Sequence, residues 1–180
     1  MDKKILAIDT STKACSVAIC SFTVEDDKIT AFNVLFQSVC NIKITHSQTA
    51  MPIIEDALKN SFIKIDDIDY FASSRGPGSF TGLRIGISII KGLAMSFDEN
   101  IKNVASVDTL LALAYNKFDF NGIIISCLDA RNNKVFCSIY DNTFKKMEAL
   151  EENLNIDITQ LCEKLQKFLL AMGQNCVIIP

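Results

Sequence analysis

The feature that most constrains this chain is a glycine-rich run of eleven residues, 76–86, with the sequence GPGSFTGLRIG. It follows a short apolar segment at 68–72 and precedes a long apolar stretch with helical spacing. Glycine adopts positive φ angles without strain, and proline fixes its own φ angle. The run therefore predicts a tight strand-to-helix loop rather than a generic turn. We assign a structural role in that loop to Gly76, Pro77, Gly78, Ser79, Gly82 and Gly86.

The helix predicted after this loop, at 80–97, carries more apolar surface than packing on one sheet face requires. Its apolar residues form two stripes, one of Leu83, Ile87, Ile90 and Ala94 and the other of Ile85, Ile89 and Leu93. A glycine inside a helix costs about 1 kcal/mol relative to alanine, so we expect Gly82, Gly86 and Gly92 to allow close packing. The excess apolar surface must pack on another helix of the same lobe or on another protein.

Composition and charge exclude several classes of protein. The 180 residues are 49% hydrophobic and 22% charged, which suits a globular chain with a sizeable core. The net charge of −3 argues against a basic surface that grips nucleic acid by itself. The apolar run at 5–8 is too short for a signal peptide, and no run is long enough for a membrane span. We therefore expect a cytoplasmic protein that does not bind membranes.

Cysteine and histidine usage gives no sign of a metal site. The chain has seven cysteines and no C-x-x-C pair, which favours buried, reduced thiols over metal-binding or disulfide roles. His46 is the single histidine, and Ala50 occupies the position four residues later. We expect no bound metal. Ser47, next to His46, is interpreted as a helix cap. No third residue is evident that would complete a catalytic triad with these two.

Hydrophobic periodicity predicts the same order of elements twice. The first half reads as three antiparallel strands at 5–8, 15–22 and 29–40, then a helix at 47–61 and a strand at 68–72. After the glycine loop come a helix at 80–97, a short strand at 104–106 and a helix at 107–118. Asp108 or Ser106 is the predicted cap of the last helix, and Pro52 fits the first helix if that helix starts near Thr49. The pattern restarts after a linker at 119–122, with strands at 123–128, 135–140 and 144–150, a helix at 158–171 and a strand at 176–179. This divides the chain into domains at 1–118 and 119–180.

Four segments resemble the TsaB (YeaZ) family in order. They are ILAIDTS at 5–11, HS at 46–47, the glycine-rich run, and DAR at 129–131. The resemblance implies an α/β fold of the actin-like ATPase type (ASKHA, ribonuclease H-like) with two related lobes. Family members usually continue past the strand that ends here at Ile179, so we expect the second lobe to be short or truncated. The aspartate and arginine of the last segment, Asp129 and Arg131, are expected to stabilise a hairpin.

The family resemblance implies a non-catalytic partner subunit in the synthesis of N6-threonylcarbamoyladenosine at position 37 of tRNAs that read ANN codons. A TsaD-like subunit would carry the chemistry and a TsaE-like ATPase would complete the set. Alone, the chain would form a homodimer, would need no cofactor and would not be an enzyme by itself. The complex would make most of the tRNA contacts, and ATP or ADP is its candidate nucleotide. The alternatives are an ATP-dependent phosphotransferase of the sugar or acetate kinase type and, less favoured, a peptidase.

The resemblance also suggests candidate sites. Asp9, Thr10 and Ser11 are the candidate nucleotide-binding residues, because the matching hairpin faces the phosphates in active relatives; in the alternative interpretation Asp9 caps its own turn. We predict no catalytic residues. The partner interface is predicted on the helices at 47–61 and 80–97. Its residues are Met51, Ile54, Leu58, Leu83, Arg84, Ile87, Ile90 and Lys91.

Overall fold

The computed structural model describes residues 2–41, 45–97, 102–172 and 175–180. The structure is α/β, as predicted, with two separate sheets. The chain divides into two compact units, one of Met1–Arg75 with Ser79–Val107 and the other of Gly76–Gly78 with Asp108–Pro180. These groupings do not test the predicted domain boundary between residues 118 and 119, which stays a prediction. None of the described helices is both long and apolar enough to cross a bilayer.

The first unit has a five-stranded sheet in the order β3-β2-β1-β4-β5. Its strands are β1 (Asp2–Asp9), β2 (Cys15–Glu25), β3 (Lys28–Cys40), β4 (Tyr70–Gly76) and β5 (Asn103–Asp108), and its helices are α1 (His46–Ser61) and α2 (Phe80–Met95). As predicted, β1 pairs with β2 and β2 with β3 in antiparallel fashion. β4 then pairs with β1 in parallel. A helical crossover between β3 and β4 allows that parallel return.

The core of the first unit lies between this sheet and the two helices. Apolar residues alternate along β1 and β2, so that one face of the sheet is buried. Alanine and isoleucine residues of α1 and α2 complete the packing. The buried cluster is Leu6, Ile8, Cys15, Val17, Ile19, Ala50, Ile54, Ala57, Ile68, Phe71, Ile90 and Ala94.

The predicted position of β4 and the predicted start of α1 are wrong. The strand placed at 68–72 is β4 at Tyr70–Gly76, because Ser73 pairs with Ile8 in the parallel ladder although serine is common in loops. Helix α1 begins at His46 rather than near Thr49, so Pro52 lies in its second turn and not at its start. Proline removes the bond that its N–H would give to Gln48, and both residues are exposed, so water can satisfy the free carbonyl.

The second unit repeats the topology of the first, as predicted. Its sheet has the order β8-β7-β6-β9. The strands are β6 (Ile123–Arg131), β7 (Lys134–Asp141), β8 (Glu148–Asp157) and β9 (Cys176–Ile179), and the helices are α3 (Thr109–Tyr115) and α4 (Ile158–Met172). β6, β7 and β8 are antiparallel neighbours, and β9 returns parallel to β6 after α4. This topology is the two-lobed α/β fold of the ASKHA type that the family resemblance implies.

In the second unit, β8 and α3 depart from the prediction. The strand predicted at 144–150 lies at Glu148–Asp157, and a 3-10 turn at Thr143–Lys145 precedes it. Asp141 starts that turn by accepting a hydrogen bond from the backbone N–H of Thr143 at 2.8 Å. Helix α3 is shorter than predicted, but its predicted cap Asp108 is confirmed, since the carboxylate accepts from the N–H of Leu110 and Leu111 at 3.0 and 3.1 Å.

The ion pair between Lys3 and Asp69 predicts a dependence of stability on pH. Lys3 Nζ lies 2.9 Å from one carboxylate oxygen of Asp69, and the N–H of Lys4 donates to the other at 2.9 Å. Burial alone would raise the pKa of Asp69, but these bonds outweigh burial and hold that pKa below its usual value. The stabilisation is therefore complete above the unfolded pKa of about 3.9 and is lost as pH falls through the folded pKa.

We expect Asp69→Asn to reduce the loss of stability on acidification by an amount on the order of 1 kcal/mol, discounted for partial exposure. Urea unfolding of the wild type and the variant at pH 7 and at about pH 2, well below the unfolded pKa, measures this difference. The matched control is Asp66→Asn, because Asp66 is exposed in the same segment. Equal pH dependence in the wild type and both variants would contradict the prediction.

Candidate functional site

The turn between β1 and β2 packs against the start of α2. The N–H of Ser79 donates to the carbonyl of Ser11 at 2.6 Å, and Thr10 Oγ1 donates to the carbonyl of Gly82 at 2.7 Å. Ser79 also caps α2, because its hydroxyl accepts from the N–H of Gly82 at 3.2 Å. We call this set of contacts the turn–helix junction.

Two glycines make the junction possible. A Cβ atom on Gly82 would lie 2.0 Å from the carbonyl oxygen of Thr10, and one on Gly86 would lie 2.5 Å from Thr10 Oγ1. Neither distance is sterically allowed, so any larger residue would push α2 away from the turn. Gly92 differs, because a Cβ there would meet nothing within 4 Å. The close packing expected for Gly92 is therefore wrong within the described part of the chain.

The residues predicted to bind a nucleotide have structural roles here. Asp9 Oδ1 accepts from the N–H of Ser11 at 2.9 Å and from Ser74 Oγ at 2.7 Å, so the carboxylate closes its own turn. Thr10 and Ser11 are 0% and 2% exposed. Both residues are therefore buried, and the hydroxyl of Thr10 is already bonded to the carbonyl of Gly82. The geometry favours the alternative interpretation, in which Asp9 caps the turn.

The matching turn of the second unit uses the same bond. Asp129 Oδ1 accepts from the N–H of Arg131 at 2.7 Å. Asp9 makes the same bond, because it also accepts from the N–H of the residue two positions later, Ser11. Arg131 has a φ angle of +63°, followed by Asn132 and Asn133 at +51° and +62°. Asparagine is among the residues that tolerate this left-handed region best. Asp129 thus acts on the backbone of Arg131, and both residues lie on the surface of the hairpin.

His46 joins α1 to the same end of the first sheet. Its Nε2 lies 2.8 Å from the carbonyl oxygen of Thr12. A carbonyl can only accept, so Nε2 carries the proton in this contact. Ser47 does not cap α1, contrary to the prediction, because the helix begins one residue earlier and Thr45 holds the cap position without a side-chain cap bond. The hydroxyl of Ser47 lies instead 3.1 Å from that of Thr45.

An open groove of about 460 Å³ lies between α1 and α2 on the surface of the first unit. The lining combines apolar and polar side chains: Ser47, Met51, Phe80, Thr81, Arg84, Ile85, Ser88 and Ile89. Phe80 is 73% exposed, and the guanidinium of Arg84 lies 5.4 Å from the centre of its ring. The groove thus presents an exposed aromatic ring, a thioether and a cation side by side.

The predicted interface residues are distributed over several environments. Ile54 and Ile90 are 1% and 0% exposed and belong to the core, so both are corrected to core residues. Met51 and Arg84 line the groove. The remaining four lie outside the groove lining: Leu58 packs against the core, Leu83 and Ile87 are partly buried, and Lys91 is exposed.

The predicted interface list lacks the groove residues Phe80, Ile85 and Ile89, although Ile85 and Ile89 belong to the second apolar stripe of the predicted helix. The signal that could have found them was the glycine spacing. The buried stripe of α2 is Gly82, Gly86, Ile90 and Ala94, every fourth residue. Small residues permit the closest approach of a helix to its neighbour, so this stripe faces the sheet. Of the larger residues between them, Ile85 and Ile89 line the groove, and Ile89 also packs against the core.

A family model, curated relatives and a solved structure all match this chain over most of its length. The family model described as TsaD, tRNA N6-adenosine threonylcarbamoyltransferase, matches residues 40–176. The tRNA threonylcarbamoyladenosine biosynthesis protein TsaB of Bacillus subtilis is 31% identical over 91% of this chain and 66% of its own length. Its counterpart from Buchnera aphidicola subsp. Schizaphis graminum is 31% identical over 93% of this chain and 75% of its own. YeaZ from Pseudomonas aeruginosa superposes with a TM-score of 0.68 at 28% identity, covering 86% of this chain and 67% of that protein. The chain spans about half to two thirds of the length of several of the curated relatives that it matches.

The turn–helix junction predicts opposite effects for two glycine-to-alanine changes in α2. Gly82→Ala should destabilise the protein by about 1–3 kcal/mol or more, because the new Cβ must displace backbone. Gly92→Ala is the matched control, and it should stabilise by up to about 1 kcal/mol, since alanine is the better helix former where space is free. Urea unfolding measures both. Equal effects of the two changes would show that the junction does not limit the approach of α2.

Proposed function

The chain belongs to the TsaB (YeaZ) family, and on that premise we propose that it is a partner subunit in the synthesis of N6-threonylcarbamoyladenosine in tRNA. In this proposal it binds a TsaD-like catalytic subunit through the groove between α1 and α2. The catalytic subunit transfers the threonylcarbamoyl group to position 37 of tRNAs that read ANN codons. A TsaE-like ATPase and the tRNA join at the level of the complex, in the cytoplasm.

The observation that carries the proposal is the exposed apolar groove on a helix that is already packed. The stripe of Gly82, Gly86, Ile90 and Ala94 is buried against the first unit, and Ile89 and Leu93 pack beside it. Phe80 nevertheless remains 73% exposed and Met51 37% exposed at the groove. Phenylalanine, methionine and arginine are enriched at protein interfaces, and all three line this groove.

The charge of the chain and the hydrogen bonds of its matched motifs favour the role of a non-catalytic partner subunit. The net charge of −3 suits a chain that leaves most tRNA contacts to its partners. The carboxylate of Asp9 already accepts two hydrogen bonds, and the imidazole of His46 is bonded to the backbone. These groups, the most reactive in the matched motifs, therefore hold the fold. In the absence of the catalytic subunit we expect the same groove to bind a second copy of this chain.

Substitutions in the groove test the proposal. Met51→Lys and Ile85→Lys should each weaken binding to a TsaD-like subunit by about tenfold or more, because a buried, unpaired charge is costly at the centre of an interface. Titration calorimetry gives the affinity, and light scattering gives the self-association of the chain alone. Both kinds of binding should weaken together if they share the groove.

Two control variants make this experiment decisive. Phe62→Lys introduces the same charge at the end of α1, where the side chain is 96% exposed and does not line the groove. It should leave binding unchanged. Ile90→Asp reports the cost of a charge on the core face and should unfold the first unit. If Phe62→Lys weakens binding as much as the groove variants, or if folded groove variants bind normally, the groove is not the interface.

Incubation of the purified chain with ATP and Mg²⁺ should give no sustained turnover. The reason is that Asp9, the candidate metal-holding carboxylate, is committed to Ser11 and Ser74. A coupled assay for ADP release measures the rate. Turnover of about 1 per second that disappears in Asp9→Ala but not in Asp56→Ala, an exposed carboxylate of α1, would instead establish a phosphotransferase.

A further inference from the structure

Cys15 and Cys40 face each other across the ladder of β2 and β3. Cys15 is the first residue of β2, Cys40 is the last residue of β3, and the two are directly paired in register. Directly opposite residues of antiparallel strands have Cα atoms about 4.5–5.5 Å apart and side chains on the same face of the sheet. A disulfide spans Cα distances of about 4.4–6.8 Å. Both cysteines are free thiols in the structure.

We propose that Cys15 and Cys40 form a thiol–disulfide redox site, which a low-molecular-weight disulfide oxidises to a bond between β2 and β3. The inference is independent of the proposed function, because it depends only on the register of the two strands. A reversible disulfide of this kind is the usual form of cysteine pairing in a reducing compartment.

The two thiols differ in access, which sets the order of reaction. Cys15 is 1% exposed, whereas Cys40 is partly exposed at the end of its strand. Burial also raises the pKa of the Cys15 thiol, and a hydrogen bond with Thr49 of α1 opposes that effect. Cys40 therefore meets the oxidant first, and Cys15 acts second, within the protein.

The proposed reaction balances as two exchanges. The Cys40 thiolate attacks one sulfur of the disulfide RSSR; a bond forms between Cys40 Sγ and that sulfur, the S–S bond breaks, and RS⁻ leaves and takes up the proton that Cys40 released. Cys15 then loses its proton, and its thiolate attacks Cys40 Sγ. The second RS⁻ leaves and takes that proton. Two protein thiols are oxidised, and RSSR is reduced to two RSH.

The chain contains a matched comparison for this site. Cys127 and Cys137 are also directly opposite each other, in β6 and β7. They are only 9% and 0% exposed and belong to a buried cluster that includes Leu161 of α4. Both pairs are directly opposite in register, but both members of this second pair are buried, whereas Cys40 of the first pair is partly exposed. Cys162 gives the opposite case, an exposed thiol on α4.

The test is oxidation of the full chain with glutathione disulfide under native conditions, followed by acid quenching, alkylation and peptide mapping by mass spectrometry. We expect a peptide pair linked through Cys15 and Cys40, with a mass about 2 Da below that of the reduced pair. Cys127 and Cys137 should be alkylated only after denaturant is added. Cys162 should carry glutathione as a mixed disulfide. The link should disappear on reduction with dithiothreitol.

Two variants identify the order of the thiols. Cys15→Ala should accumulate glutathione on Cys40, because the second exchange is lost. Cys40→Ala should leave Cys15 unmodified while Cys162 still reacts. The map of the wild-type protein decides the question even if Cys15→Ala does not fold. The proposal is overturned if native wild type holds only a mixed disulfide on Cys40, or if Cys127 and Cys137 link as fast as Cys15 and Cys40.

Discussion

The first unit depends on how closely α2 approaches the turn between β1 and β2. Thr10 and Ser11 bond to Gly82 and Ser79, and the missing side chains of Gly82 and Gly86 leave the space for those bonds. Each of these glycines lowers the intrinsic helix propensity of α2 by about 1 kcal/mol. The helix is therefore held mainly by tertiary contacts, and its angle to the sheet is set at its first turns. The groove between α1 and α2 takes its shape from that angle.

The two units solve the same turn problem in the same way. The first strand of each unit carries an aspartate at its end or two residues before it, and each aspartate accepts from the N–H two residues later, at Ser11 or at Arg131. This bond offers the backbone a turn conformation that competes with continuation of the strand. Each unit then runs through antiparallel strands to a helix and a parallel return. The repeat is therefore one of backbone topology and turn chemistry, although the residues around it differ.

The order of elements and most strand positions could be predicted from the sequence, because alternation of apolar residues is a local signal. The strand at Cys176–Ile179 was found in this way, and the cap at Asp108 was found from another local signal, an aspartate just before a helical run. The errors arose where a distant contact decides the structure. Ser73 and Ser74 are strand residues because β1 and Asp9 lie beside them, and α1 begins at His46, before the predicted start near Thr49, where the imidazole contacts the carbonyl of Thr12. The site was predicted only in part for the same reason. Ile54 and Ile90 are apolar on helices predicted to bind a partner, and sequence spacing could not tell their core face from the groove face.

The glycine spacing resolves that ambiguity and connects the fold to the proposed interface. A helix whose buried stripe is mostly glycine and alanine comes close to its own sheet, and apart from Ile90 its larger residues lie beside that stripe or on the outer face. In α2 these are Phe80, Ile85 and Ile89, and they meet Met51 of α1 across the groove. Close packing inside and a large apolar surface outside are thus two consequences of one arrangement of residues. A partner that binds this surface would gain from a helix already fixed in place, because little conformational entropy would be lost on binding.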